Sequence, residues 1–296
     1  MAKRLLITGA GGFVAGSIIA QADDHWAVHA VSRGKAPIER ANLTWHSIDP
    51  LDRGALAAAA DKAEPDAIIH AGAIAGIDYC KAHPEEAARV NTEWTAHVAE
   101  IAATHAAKLV YCSTDNVFDG EEGFYDEAAP PNPVNVYGQT KVAGEEAVTA
   151  TPIPWVVARI SIVMGLPMLG DGNSFLSRML PALEKGEPLG VPADEIRSPI
   201  DVVTLGRALL ELADNDFTGI IHLASNDVLD RCELVRRIAA RLGYDPDLVQ
   251  PNDPATIPGR DTRPRDASLD NRRARRTLDT PMVGVEQAAG LIIAHR

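Results

Sequence analysis

Short apolar runs alternate with longer stretches of helical period through the first 160 residues. Arg4–Thr8, Ala27–Ser32, Ala67–His70, Lys108–Ser113 and Trp155–Ile160 are predicted as buried strands. Between them, Phe13–Ala22, Glu85–His105 and Val136–Thr149 carry the spacing of helices. Strands that alternate with helices predict a parallel sheet covered on both faces. The pattern then loosens. Proline and glycine punctuate 164–200 and 251–264, and helices are predicted at Asp201–Ala213 and Asp230–Leu242 with a strand at Gly219–Leu223 between them. The reading is an α/β fold: a doubly wound parallel core over 1–160, and a smaller C-terminal lobe formed mainly by 161–296, with some segments returning to the core.

The first strand runs directly into Thr8-Gly9-Ala10-Gly11-Gly12-Phe13-Val14-Ala15, and a helix follows. Glycine at 9 permits a tight turn, glycine at 12 lets backbone approach a pyrophosphate, and a small residue at 15 lets helix and strand pack closely. The helix start, with Phe13 and Val14, then offers free N–H groups to an anion. Strand before and helix after is the context that turns this spacing into a Rossmann-type dinucleotide site. The same stretch, preceded by Lys3 and Arg4 and ending Ala20-Gln21-Ala22, imitates a secretory signal. Four glycines within its apolar run argue for the turn instead.

The second strand ends in Ser32 and Arg33, where an acidic residue would bind the adenosine ribose of NAD. A guanidinium there suits a 2′-phosphate, so NADPH is favoured, with NADH as the alternative. Asp49, after the third strand, is read either as a contact to the adenine or as the cap of the next helix.

Tyr137 and Lys141 lie four residues apart on a predicted helix and so share one face. A sheet of this kind binds its ligand at the carboxyl ends of its strands, where Ser113 and Thr114 follow the run Lys108–Cys112. Reducing a ketone needs a hydride on carbon and a proton on oxygen. A tyrosine can supply the proton near neutrality if a neighbouring ammonium favours its phenolate. Thr114, Tyr137 and Lys141 are therefore the expected catalytic group, with Tyr137 as general acid and Thr114 holding the substrate oxygen.

Gly9-x-x-Gly12-x-x-Ala15, His70-Ala71-Gly72-Ala73, Asn91, Ser113–Phe118 and Tyr137–Lys141 occur in an order and spacing that resemble the extended short-chain dehydrogenase/reductases. The resemblance implies the catalytic triad Thr114, Tyr137 and Lys141, with Lys141 also on the nicotinamide ribose. It implies Ala71, Gly72 and Ala73 lining the cofactor, Asn91 bonded to backbone near the site, and Ser113 as the fallback hydroxyl. Within the family, "STDNVFDG", "NVYGQTKVAGEE" and "RPRDASLD" are similar to the branch of the dTDP-4-dehydrorhamnose reductases. That likeness implies a keto-sugar nucleotide substrate, contacts from Asp115, Asn116, Arg197 and Arg263, and a homodimer. The chain departs from the branch at Asn116, where an aromatic residue is usual, and at "DEIRSPID", which lacks the usual Gln-x-Gly-x-Pro-Thr. Two alternatives accompany this reading: a nucleotide-sugar epimerase that retains its NAD, and a non-catalytic NADP-binding subunit resembling the methionine adenosyltransferase beta subunit.

Bulk properties narrow the setting. A formal charge of −13 disfavours nonspecific nucleic-acid binding. No apolar run is long enough for a membrane span. Three widely spaced cysteines, Cys80, Cys112 and Cys232, suggest neither a disulfide framework nor a metal site, and point to a cytoplasmic protein. The arginines from Arg260 to Arg276 form a cluster that could grip a substrate diphosphate; Arg272 to Arg276 are read as a solvated helix face, and Arg263 is weighed as a substrate contact. The acids between Asp115 and Glu127 are read as a solvated loop without calcium spacing.

Overall fold

A computed structural model describes residues 2–170, 172, 174–252 and 262–295. Seven strands form one parallel sheet: β1 (Lys3–Thr8), β2 (Trp26–Ser32), β3 (Leu43–Ser47), β4 (Ala67–His70), β5 (Lys108–Thr114), β6 (Trp155–Ile160) and β7 (Gly219–Leu223). Their spatial order is β7-β6-β5-β4-β1-β2-β3. Chain order therefore reverses between β1 and β4, which pair from Leu5 with Ala67 to Thr8 with His70. That reversal opens a crevice at the carboxyl ends of the two strands.

The sheet strands are apolar on both faces because both faces are covered. Helices Phe13–Gln21 and Val202–Asp214 cover one face, burying Ile18, Ile19, Leu205 and Leu209 against Leu5, Ile7, Val110 and Val156. Helices Arg53–Ala63, Trp94–Thr104 and Val136–Thr149 cover the other, burying Leu56, Trp94, Val98 and Val148 against Leu6, Ile68, Leu109 and Tyr111. Asp201 caps Val202–Asp214 by accepting from the amides of Val203 and Thr204.

A separate apolar cluster holds the irregular half together. It joins helices Phe175–Glu184, Arg231–Arg241 and Val285–Ala294 through Leu176, Leu180, Leu234, Ile238 and Ile292. Residues 202–223 leave this half and complete the sheet. The predicted helix Glu85–His105 is interrupted by one wide π turn, Arg89–Glu93, between the α-helices Pro84–Ala88 and Trp94–Thr104. Among the described residues, no helix is long and apolar enough to cross a membrane, and no group of three or more ligating side chains gathers as a metal site. The three cysteines are free thiols. Arg260 lies outside the described residues.

Candidate active site

The glycine turn and the β4 end meet at the crevice. Gly9 has φ +74, and a Cβ there would stand 2.4 Å from the Gly72 Cα. A Cβ on Gly72 would in turn stand 2.2 Å from the Trp94 ring. The two backbones touch because neither residue has a side chain. Gly12 is the N-cap of Phe13–Gln21 and no side chain caps it, so the helix start is open to an anion. This cradle fits a dinucleotide pyrophosphate. The Phe13 side chain is turned inward onto Val202 and Val203, which limits any part it takes in that cradle to its backbone. Val14 also packs against the core, and Ala73 is exposed past Gly72.

Ser32 ends β2, and Arg33 is exposed beyond it. Arg33 therefore follows β2 at the carboxyl edge of the sheet. Asp49 is not the helix cap. Asp52 is, accepting from the Ala55 amide at 3.0 Å, while Asp49 closes the preceding turn by accepting from the Leu51 amide at 3.1 Å.

Thr114 is the last residue of β5 and pairs with Ile160. Its hydroxyl donates to Asp115 Oδ1 at 3.2 Å and accepts from the Asn116 amide at 3.2 Å. Tyr137 is buried above it, on the first turn of Val136–Thr149, whose N-cap Asn135 accepts from the Gly138 amide at 2.8 Å. Burial pushes the Tyr137 phenol above its ordinary pKa, and the nearby Thr114 hydroxyl opposes that shift. Lys141 is fully buried one turn further on, and desolvation lowers its pKa to about 8. Its ammonium donates to the Cys112 carbonyl at 2.8 Å and lies 4.1 Å above the Tyr111 ring. Thr114, Tyr137 and Lys141 thus converge, although Lys141 is anchored downward on β5 rather than on the phenol as the sequence suggested.

Asn91, in the π turn, brackets the Ile74 peptide. It accepts from the amide at 2.8 Å and donates to the carbonyl at 3.0 Å, and it also donates to Thr140 at 3.0 Å. The segment after Gly72 is thereby tied to the helix that carries Tyr137. Thr8, His70 and Thr95 form a buried chain beneath it, with contacts of 2.6 and 3.0 Å. Desolvation drives His70 down to about 3, so it is neutral.

Several expected substrate contacts have other partners. Ser113 faces the opposite side of β5 from Thr114 and donates to Glu145 at 2.5 Å, because neighbouring strand residues point to opposite faces. Arg197 is buried. It meets Asp115 at 3.4 Å and donates to the carbonyls of Ile196, Pro264 and Arg265. Arg263 pairs with Asp78 at 2.7 Å. Asp115 is buried among Thr114, Ser161, Asn116 and Arg197, and desolvation raises its pKa. Asn116 donates to Asp115 at 2.8 Å and faces Asn135 at 3.4 Å. The acidic loop is spent on its own structure: Asp119 accepts from Tyr125 and Asn132, and Glu127 accepts from the His222 amide. Arg272 pairs with Asp270, and Arg273 with Glu127. Sequence reasoning missed Trp94, Glu145 and Arg159. Glu145 was within reach, since it continues the four-residue stripe of Tyr137 and Lys141.

The model of the RmlD substrate binding domain matches residues 3–295. A dTDP-4-dehydrorhamnose reductase of Mycolicibacterium smegmatis is 32% identical over 286 residues, spanning 95% of this chain and 82% of that protein. The methionine adenosyltransferase 2 subunit beta of Bos taurus is 29% identical over 274 residues, spanning 90% and 80%. Among solved structures, a hypothetical dTDP-4-dehydrorhamnose reductase from Sulfolobus tokodaii superposes with a TM-score of 0.79 at 30% identity, over 95% of this chain and 96% of that one. The dTDP-4-dehydrorhamnose reductase of Bacillus anthracis, solved with NADP, gives 0.88 at 23% identity over the whole of both chains, a likeness of fold.

Proposed function

The chain belongs to the RmlD substrate-binding-domain family of the extended short-chain dehydrogenase/reductases, and from that premise we propose that it uses NADPH to reduce the keto group of a nucleotide-linked sugar. The observation that carries this reading is the gathering of three buried side chains at the end of β5: the Thr114 hydroxyl, the Tyr137 phenol on the first turn of Val136–Thr149, and the Lys141 ammonium one turn further on. The cradle of Gly9, Gly12 and Gly72 would hold the dinucleotide, and Arg33 would meet its 2′-phosphate. When bound, the cofactor supplies the hydride.

The chain's own residues handle the proton. Tyr137 stays protonated through the neutral range because burial raises its pKa. It therefore approaches the substrate oxygen as an acid. Thr114 orients that oxygen and must release Asp115 to do so. Once the phenol has given up its proton, Lys141 supplies the nearest positive charge on the same helix. Asn116 and the chain around Arg263 lie beside this centre and would meet the sugar.

The test is loss of reduced-nicotinamide absorbance with NADPH or NADH and a panel of 4-keto-6-deoxy nucleotide sugars. Oxidation with at least one panel member is expected, faster with NADPH. Tyr137→Phe should lose about 10²-fold or more in kcat, the worth of a positioned acid, and still bind cofactor. A wild-type protein that binds NADPH and oxidises it with no keto sugar would sink the proposal. It would favour the alternative of a non-catalytic NADP-binding subunit.

A further inference from the structure

Tyr137, Lys141 and Glu145 recur every four residues on helix Val136–Thr149, and all three are buried against the sheet. The first two belong to the reaction proposed above. Glu145 does not touch the crevice. Its carboxylate accepts from Ser113 Oγ at 2.5 Å, from Arg159 Nε at 3.0 Å and from Arg159 Nη2 at 2.8 Å. Ser113 and Arg159 are register partners on β5 and β6. One side chain therefore pins the helix to two strands at once. Gly144 lets it come that close: a Cβ there would stand 2.3 Å from the Tyr111 hydroxyl.

A buried ion pair contributes little to stability beyond what an apolar pair of the same shape would give. Its placement needs another reason, and the surroundings of Lys141 supply one. Tyr137 faces it from its own helix, Cys112 and Tyr111 from β5, and His70 from β4. The Cys112 thiol is pushed up to about 12, Tyr111 and Tyr137 are pushed up by burial, and His70 is neutral. Of these neighbours and Glu145, only Glu145, paired with Arg159 at 2.8 Å, brings a carboxyl group to within one helical turn of the ammonium. We propose that Glu145 is a positioning residue for the reduction: clamped between Ser113 and Arg159, it fixes the height of the helix against β5 and β6 and keeps the Lys141 ammonium charged beneath Tyr137. The inference rests on the reductase reading.

Two variants test it. Glu145→Gln keeps the shape and removes the charge. The double variant Glu145→Met with Arg159→Met removes both charges together, the exchange that folded proteins tolerate best, and it carries the test if the single variant does not fold. In cofactor-free protein labelled with ¹³C-lysine, the Lys141 resonance, assigned by its loss in Lys141→Met, should titrate near pH 8. Its midpoint should fall by about half a unit or more in Glu145→Gln, and by less in the double variant, which removes the opposing charge of Arg159 as well. At pH 7, kcat should drop by about tenfold or more while the substrate KM stays within about threefold, since orientation and not binding is lost. A folded variant in which either the midpoint or kcat is unchanged overturns the proposal. Tyr137→Phe is run beside them. If it keeps full turnover, the reductase mechanism fails, and the lysine titration still decides whether Glu145 governs Lys141.

Discussion

Replacing Gly144 by alanine should separate the packing of helix Val136–Thr149 from the chemistry proposed for it. Gly144 faces Tyr111 and the Asn91 carbonyl, and an added methyl would sit 2.3 Å from the Tyr111 hydroxyl, 2.9 Å from its ring carbon and 3.0 Å from the carbonyl oxygen. Ordinary contact begins at 3.4 Å, so the helix and β5 must part by about 1 Å. Tyr111 cannot yield easily, because it is fully buried, stacked on His70 and covered by Lys141. Alanine gains about 1 kcal/mol in helix propensity over glycine. Overpacking costs about 1–3 kcal/mol. The net change is a loss of up to about 2 kcal/mol, which lowers Tm by a few degrees at most. The effect on turnover should be much larger. A displacement of about 1 Å at catalytic groups costs on the order of 10²-fold in rate. Parallel measurement of Tm and of NADPH oxidation should therefore show a small thermal shift beside a large loss of kcat. A variant with wild-type kcat would refute the claim that this close approach sets the height of Tyr137 and Lys141.

Two further outcomes follow from the same geometry. Arg33→Ala should raise the KM for NADPH by about tenfold or more, the worth of a charge-assisted bond, and leave that for NADH nearly unchanged; equal losses for both would remove Arg33 from cofactor selection. Lys141 should also make activity and stability move in opposite directions with pH. Above about 8 the folded protein loses the ammonium, so kcat/KM for the cofactor should decline. Unfolded chain keeps that proton up to the ordinary lysine pKa of 10.5, so between these values it binds more protons than the native state. Over that window Lys141's contribution to stability rises with pH. Melting curves of wild type and Lys141→Met across pH 7–10 would reveal that contribution, and parallel curves would show that Lys141 is not the group that titrates.

What the sequence disclosed were features whose physics is local. The turn at Gly9, the stripe of Tyr137 and Lys141 and the end of β5 at Thr114 each follow from period and composition within a few residues. Alternation along β5 implied that Ser113 and Thr114 face opposite ways, but not which one meets the crevice. That depended on Glu145, which reaches Ser113 from 32 residues away. Asp49 and Asp52 were equally good caps by type, and the helix begins at Arg53, which makes Asp52 the cap. Arg197 and Arg263 looked available to a phosphate because their partners, the Pro264 carbonyl and Asp78, lie 67 and 185 residues distant. The closeness of Gly9 to Gly72, and of Gly72 to Trp94, likewise exists only once the sheet has closed.

The sheet order also has a temporal meaning. Synthesis delivers β1 to β6 and all of Thr114, Tyr137 and Lys141 by residue 160, but β7, the neighbour of β6, follows only at 219–223. Until then β6 is an open, apolar edge, the kind of surface to which another strand can add. Arg197, the partner of buried Asp115, comes later than that charge by 82 residues. A growing chain thus holds Thr114, Tyr137 and Lys141 well before β7 can cover β6, and between residues 160 and 223 that edge is open to pairing with another nascent chain.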